Sequence, residues 1–179
     1  RTPLREAFRK LELDGLVEYV ERRGVIVRAF TIEDIEETFT IRNALMMLII
    51  PSIFENVRKA DLAEMQRILD AMDVSQKEEN AEELSQYNRE YHRTIEQISD
   101  KKRILRVIDS QEEYITRFSR LAIESVVRRS NAHQEHHELL RMLREGEQES
   151  FAKLMEHHLN ESKMTCLATV PLGKKQSAG

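Results

Sequence analysis

The chain has 179 residues, of which 34% are charged and 40% hydrophobic, with 5 Gly, 3 Pro, a single Cys and a formal net charge of -4. That length holds one ordinary domain, or one domain with a small appendage, and the scarcity of Gly and Pro excludes collagen-like and proline-rich chains and disfavours a turn-rich β-sandwich. The longest apolar run, residues 44–50, falls far short of the roughly 18 residues of a membrane span, so no membrane partner is expected. No segment resembles a secretory signal, and the chain does not begin with Met, so further residues are expected before Arg1. One cysteine, Cys166, leaves no internal disulfide framework and fits a reducing, cytoplasmic setting.

Residues 1–30 are basic on balance and the remainder is acidic. Leu4, Ala7, Phe8 and Leu11 fall at helical spacing, Thr2-Pro3 is a helix start, and Gly15 is a stop. Residues 16–20 and 25–27 then read as two strands, joined at Glu21-Arg22-Arg23-Gly24 by a turn whose glycine can take positive φ. Arg1, Arg5 and Arg9 lie four apart, off the apolar stripe. Guanidinium groups in such a row either form a solvated basic face or fork onto phosphates and guanine edges in a major groove. Arg22 and Arg23 at the ribbon tip are placed for a neighbouring phosphate or minor groove.

The string Arg1-Thr-Pro-Leu-Arg-Glu-Ala-Phe-Arg9, continued to Val17 and by Arg22-Arg23-Gly24-Val25, resembles the recognition helix and wing of GntR-family winged-helix transcription regulators. The resemblance implies that Arg1, Thr2, Arg5 and Arg9 face DNA and that Gly24 shapes the wing. On this reading residues 1–30 are the C-terminal part of a partial winged helix-turn-helix.

Residues 31–167 read as an all-helical body, and 168–179 as a polar, disordered tail. Thr31 with Glu33 and Asp34 starts a helix through Ile35, Phe39, Arg42, Leu45 and Ile49, which Pro51 kinks or breaks. Further helices are expected over 61–77, 81–98, 103–125, 130–144 and 147–167, with Ser99-Asp100 and Gly146 as separators. The expected fold is mainly α: the winged-helix fragment followed by an antiparallel bundle of six or seven helices, an architecture that can enclose a ligand.

Six histidines occur. His92 shares a face with Asn88, Leu84 and Ile95. His136 lies on the stripe of Leu139, Leu140 and Leu143, and His158 on that of Phe151, Leu154 and Met155. Three helices thus each aim one imidazole inward. Each ring alone reads as a buried histidine with a local hydrogen bond, but three together can converge on one ion. His133 and His137, four apart, straddle the inner and outer sides of their helix and rank lower as a site of their own. His157 points outward.

Asn88-Arg-Glu-Tyr-His92-Arg-Thr-Ile95, Glu135-His136-His-Glu-Leu-Leu140 and His158-Leu159 resemble the metal-site motifs of the FCD ligand-binding domain, the effector half of the FadR branch of GntR regulators. The resemblance spans about residues 31–166. It implies a divalent metal, zinc first with nickel or iron as alternatives, on His92, His136 and His158, with Asn88 where the family places Asp. An amide oxygen brings no negative charge. Either the ion is retained and favours an anionic effector more strongly, or it is lost and the ligand is held by hydrogen bonds. The family also places an arginine at Arg42, facing the effector; its alternative role is a salt bridge with a neighbouring acid. Met46 stands where the family usually has Glu, and Tyr91 reads as core.

The function expected is therefore a ligand-responsive, DNA-binding transcription regulator, not an enzyme. It binds a small carboxylate effector and an operator, and it is a homodimer because a two-fold operator mirrors a two-fold protein. The alternatives are a metal-dependent hydrolase and a metal-stabilised interaction bundle. The hydrolase needs a carboxylate base near the ion. Glu135 adjoins His136, but successive helix residues point about 100° apart, so no well-placed base emerges.

Overall fold

The computed structural model describes residues 2–28, 31–111, 114, 116, 118 and 126–169. The expectations for Arg1 and for the tail from 170 lie outside these residues, as does most of the stretch 112–125. The chain divides into two compact units, Arg1–Thr31 and Ile32–Gly179.

In the first unit, helix α1 (Thr2–Leu13) is followed by strands β1 (Val17–Val20) and β2 (Gly24–Val27). The helix ends where Gly15 takes φ +69°, and Leu16 N–H returns to the Leu11 carbonyl at 2.9 Å. The strands pair antiparallel in the register Val17↔Val27 to Val20↔Gly24. Two residues of the tip turn adopt positive φ: Gly24 at +78°, as its composition allows, and Arg22 at +65°. Leu4, Phe8, Leu11 and Leu13 all remain exposed, so the apolar stripe of α1 is not covered by the ribbon.

The second unit holds six described helices: α2 (Ile32–Asn56), α3 (Lys59–Lys77), α4 (Ala81–Ile98), α5 (Lys102–Ser110), α6 (Val126–Glu145) and α7 (Gln148–Thr169). Links of two or three residues turn the chain between α2 and α3, α3 and α4, α4 and α5, and α6 and α7. Three of these turns use a residue with positive φ: Glu79, Asp100 and Gly146. At the last, Gly146 takes +77° and Glu147 N–H bonds the Met142 carbonyl, a left-handed cap closing α6.

Pro51 does not break α2. The helix runs on to Asn56, with the proline on its exposed side and Ile49, Ile50, Ser52 and Ile53 buried around it. The packing of that apolar run outweighs the one hydrogen bond the ring removes. Met65, Ile68, Leu69 and Met72 of α3 recur at helical spacing and are sealed against α4, where Leu84, Tyr91 and Ile95 are equally buried. Helices α6 and α7 close the core with Leu139, Leu140, Leu143, Phe151, Met155 and Leu159.

Candidate metal centre

Three of these helices bring His92 (α4), His136 (α6) and His158 (α7) together inside the second unit. All three are buried, with 4%, 0% and 3% of their surface exposed. Their ring centroids form a near-regular triangle with sides of 5.1, 5.0 and 4.7 Å. His92 Nε2 lies 3.3 Å from His136 Nε2 and 3.1 Å from His158 Nε2. Metal–nitrogen bonds of about 2.0–2.1 Å, opened to tetrahedral or octahedral angles, separate donor atoms by about 2.9–3.4 Å. The observed spacing is therefore that of ligands around one ion. A neutral imidazole Nε2 carries either one lone pair or one proton, whereas a cation accepts lone pairs from all three nitrogens at once.

Glu135 fixes the chemistry of one ring. Its Oε2 lies 2.7 Å from His158 Nδ1. An ionised carboxylate only accepts hydrogen bonds, so Nδ1 carries the proton and His158 Nε2 presents its lone pair to the other two rings. This carboxylate–histidine pair is the outer-shell arrangement that orients metal-bound imidazoles. Sequence reasoning considered Glu135 only as a base beside His136 and set it aside. The 100° offset that turns it from its neighbour turns it toward α7. Tyr91, fully buried, donates its hydroxyl to the His136 carbonyl at 2.7 Å, and its ring packs at 4.7 Å, tilted by 43°, against the imidazole. Burial pushes its phenol well above the ordinary tyrosine value, so it stays a donor.

Asn88 is half-buried on α4, one turn before His92. Arg42 on α2 is buried at 8% exposure, and its Nη2 lies 3.9 Å from Glu96 Oε1, one turn past His92. The Arg42 Nε is buried without a hydrogen-bond partner among the described residues. A loose ion pair and an unmet N–H on a buried guanidinium favour a further anion. Glu96, itself 6% exposed, was missed by sequence reasoning. Its signal was the four-residue step from His92.

His133 is buried and His137 half-exposed, and both rings reach Asp73 on α3, a partner their spacing on one helix did not reveal. His157 is exposed, with Nε2 3.9 Å from Glu135 Oε1. In the first unit, Arg5, Arg9, Arg22 and Arg23 are all exposed. The Thr2 side chain, like Arg1, lies outside the described residues. A separate cleft of about 770 Å³, lined by Arg58, Asp61, Glu90, Arg93 and Asp100 among others, contains none of the histidines.

The FCD domain family matches residues 37–161, most of the chain. The chain is 32% identical over 99 residues to the gluconate operon transcriptional repressor of Bacillus subtilis, covering 53% of this chain and 39% of that protein. It is 23% identical over 116 residues to the HTH-type transcriptional regulator YdhC of the same organism, covering 64% and 52%. The chain thus spans about half the length, or less, of these relatives. Among solved structures, E. coli McbR/YncC superposes with a TM-score of 0.82 at 19% identity, over 93% of this chain and 84% of that one. A GntR regulator from Rhodococcus sp. RHA1 gives 0.75 at 22%, over 94% and 80%. The metal-free FCD domain of TM0439 gives 0.67 at 19%, over 79% and 97%. These likenesses agree with the mainly helical fold and its small hairpin. These relatives and structural neighbours include GntR-type transcription regulators, and the chain itself belongs to the FCD domain family.

Proposed function

We propose that this chain senses a small carboxylate through a metal centre in its helical unit and conveys that binding to an operator-reading winged helix. The observation that carries the reading is the meeting of three buried imidazole nitrogens, with Glu135 holding one of them in the ligating tautomer. His92, His136 and His158 would hold the ion, with Asn88 as a neutral oxygen donor. Three imidazoles and an amide leave the ion's full positive charge in place, and they suit zinc, nickel or iron alike. When bound, the ion supplies a Lewis-acidic charge that attracts an anion. Arg42 supplies the complementary fork, its Nε buried without a partner and its pairing to Glu96 loose. Arg1, Thr2, Arg5 and Arg9 read the operator, Arg22 and Arg23 add backbone contacts, and Gly24 shapes the wing. A homodimer in the cytoplasm matches a two-fold operator.

The hydrolase reading is weaker. Glu135 is engaged by His158 Nδ1, on the side of the ring away from the converging nitrogens, and does not serve as a base there.

Elemental analysis of purified protein tests the centre. Wild type should carry about one equivalent of divalent metal at the three histidines, and the His136→Ala, His158→Ala double variant should lose it. Equal occupancy of that centre in wild type and variant would reject it. Titration with a panel of small carboxylates, followed by calorimetry, should give binding that Arg42→Ala weakens at least tenfold.

A further inference from the structure

Outside the central triangle, a second set of donors meets at the packing of α3 on α6. His133 and His137 stand four residues apart on α6, so their rings share a face. Their Nε2 atoms are 3.2 Å apart. Asp73, projecting from α3, places Oδ1 2.5 Å from His133 Nε2 and 3.4 Å from His137 Nε2. The three donor atoms lie within 4.8 Å of one another. His133 is 8% exposed, whereas the side chains of His137 and Asp73 are each 40% exposed. The cluster is thus anchored at one corner and open to water at two.

We infer that Asp73, His133 and His137 form a second divalent-metal site, separate from the central one, which ties α3 to α6. Two imidazoles and one carboxylate select borderline first-row ions such as zinc, nickel, copper or cobalt over calcium or magnesium, which take oxygen ligands. The 3.2 and 3.4 Å edges already match ligands around an ion. The 2.5 Å edge is that of a direct hydrogen bond, and it must open by about 0.5 Å to admit an ion. The Asp73 side chain is half-exposed, so solvent rather than packed core lies on one side of it. With one face toward solvent, the remaining coordination positions take water, so this ion exchanges faster than one enclosed by His92, His136 and His158. The three ligands span two helices that the fold brings together from 60 residues or more apart, so occupancy stiffens the packing of α3 against the helix that also carries His136.

Cobalt(II) distinguishes the sites, because its visible absorption reports nitrogen-rich coordination of low symmetry. Metal-stripped protein should bind two equivalents, one released rapidly and one slowly on addition of a chelator. Asp73→Asn and His137→Ala alter half-exposed side chains and should leave the helical circular dichroism unchanged. Each should remove the fast equivalent alone and weaken cobalt binding at that site by at least tenfold. The His136→Ala, His158→Ala variant should keep the fast equivalent and lose the slow one. If the central reading fails, wild type binds a single equivalent that survives in this double variant and disappears in His137→Ala. Unchanged stoichiometry and release kinetics in both Asp73→Asn and His137→Ala would overturn the second site.

Discussion

Glu135 precedes His136 in the chain yet serves His158, on a different helix. Its carboxylate, 2.7 Å from Nδ1, sets both the tautomer and the rotation of that ring. Outer-shell carboxylates of this kind are worth about 10–100-fold in metal affinity. Glu135→Gln should therefore weaken zinc binding at the central site by that range, with one equivalent still bound there at saturation, as read by competition with a chromophoric chelator. Unchanged affinity would mean that the ring is held by packing alone. Arg42 and Glu96 show the same dependence on partners. Arg42 stands out only by the resemblance and Glu96 not at all, but Glu96, one turn past His92, pairs with a buried, incompletely satisfied guanidinium from another helix. The sequence showed that His92, His136 and His158 lay on inward stripes. It offered Glu135 only as a neighbour of His136, because the helix that faces Glu135 is not written in the local sequence.

At the level of elements, the helix starts and stops follow local chemistry. Asn80 caps α4, its side chain accepting from the Glu83 N–H at 3.2 Å. At the start of α3, the Arg58 N–H donates to Asp61 Oδ2 at 2.8 Å, and the Arg58 guanidinium donates to both carboxylate oxygens at 3.1 Å. Those hydrogen bonds from the Arg58 side chain, more than the opposing desolvation, hold the Asp61 carboxyl below its ordinary value. A carboxylate whose folded value is lowered stabilises the fold above its unfolded value, near pH 4, and loses that contribution as pH falls through the folded value. Asp61→Asn should thus cost about 0.5–1 kcal/mol at neutral pH, a typical cap contribution. The difference from wild type should shrink below about pH 4. Urea unfolding at both pH values checks this, and a difference that persists undiminished at about pH 3 would assign the effect to something other than ionisation. The continuous helix through Pro51 and the left-handed turns at Glu79 and Asp100 were not legible. Propensity disfavours all three, and tertiary packing overrides it.

For the molecule as a whole, the proposed function assigns different dependences on salt and ligand to the basic first unit and the acidic helical unit. In the full-length protein, binding to a palindromic duplex should weaken steeply with salt. Arg5→Ala should lower affinity by about 1–3 kcal/mol if Arg5 forks onto a base, or reduce the salt slope by about one if it meets a phosphate. Gel-shift or anisotropy titrations at several salt concentrations separate these outcomes. Identical affinity and slope would remove α1 from the DNA interface. Metal loading should leave the salt slope unchanged, because the proposed ligands all lie in the helical unit, while an effector that favours one arrangement of the proposed dimer should shift operator affinity.

By itself the sequence determined the helical class, the helix-then-hairpin pattern of the first unit, and the side of each helix on which His92, His136 and His158 stand. All of these depend on a 3.6-residue period or a local string, which neighbouring residues specify. Only the tertiary structure decided that the three rings share one point, that Glu135 reaches His158, and that Asp73 closes on His133 and His137. The rotational phase of a residue about its helix axis is a local property. The distance between two side chains on different helices depends on how the helices pack, and that is set by the summed burial of residues such as Met65, Ile95 and Phe151, which come from three different helices.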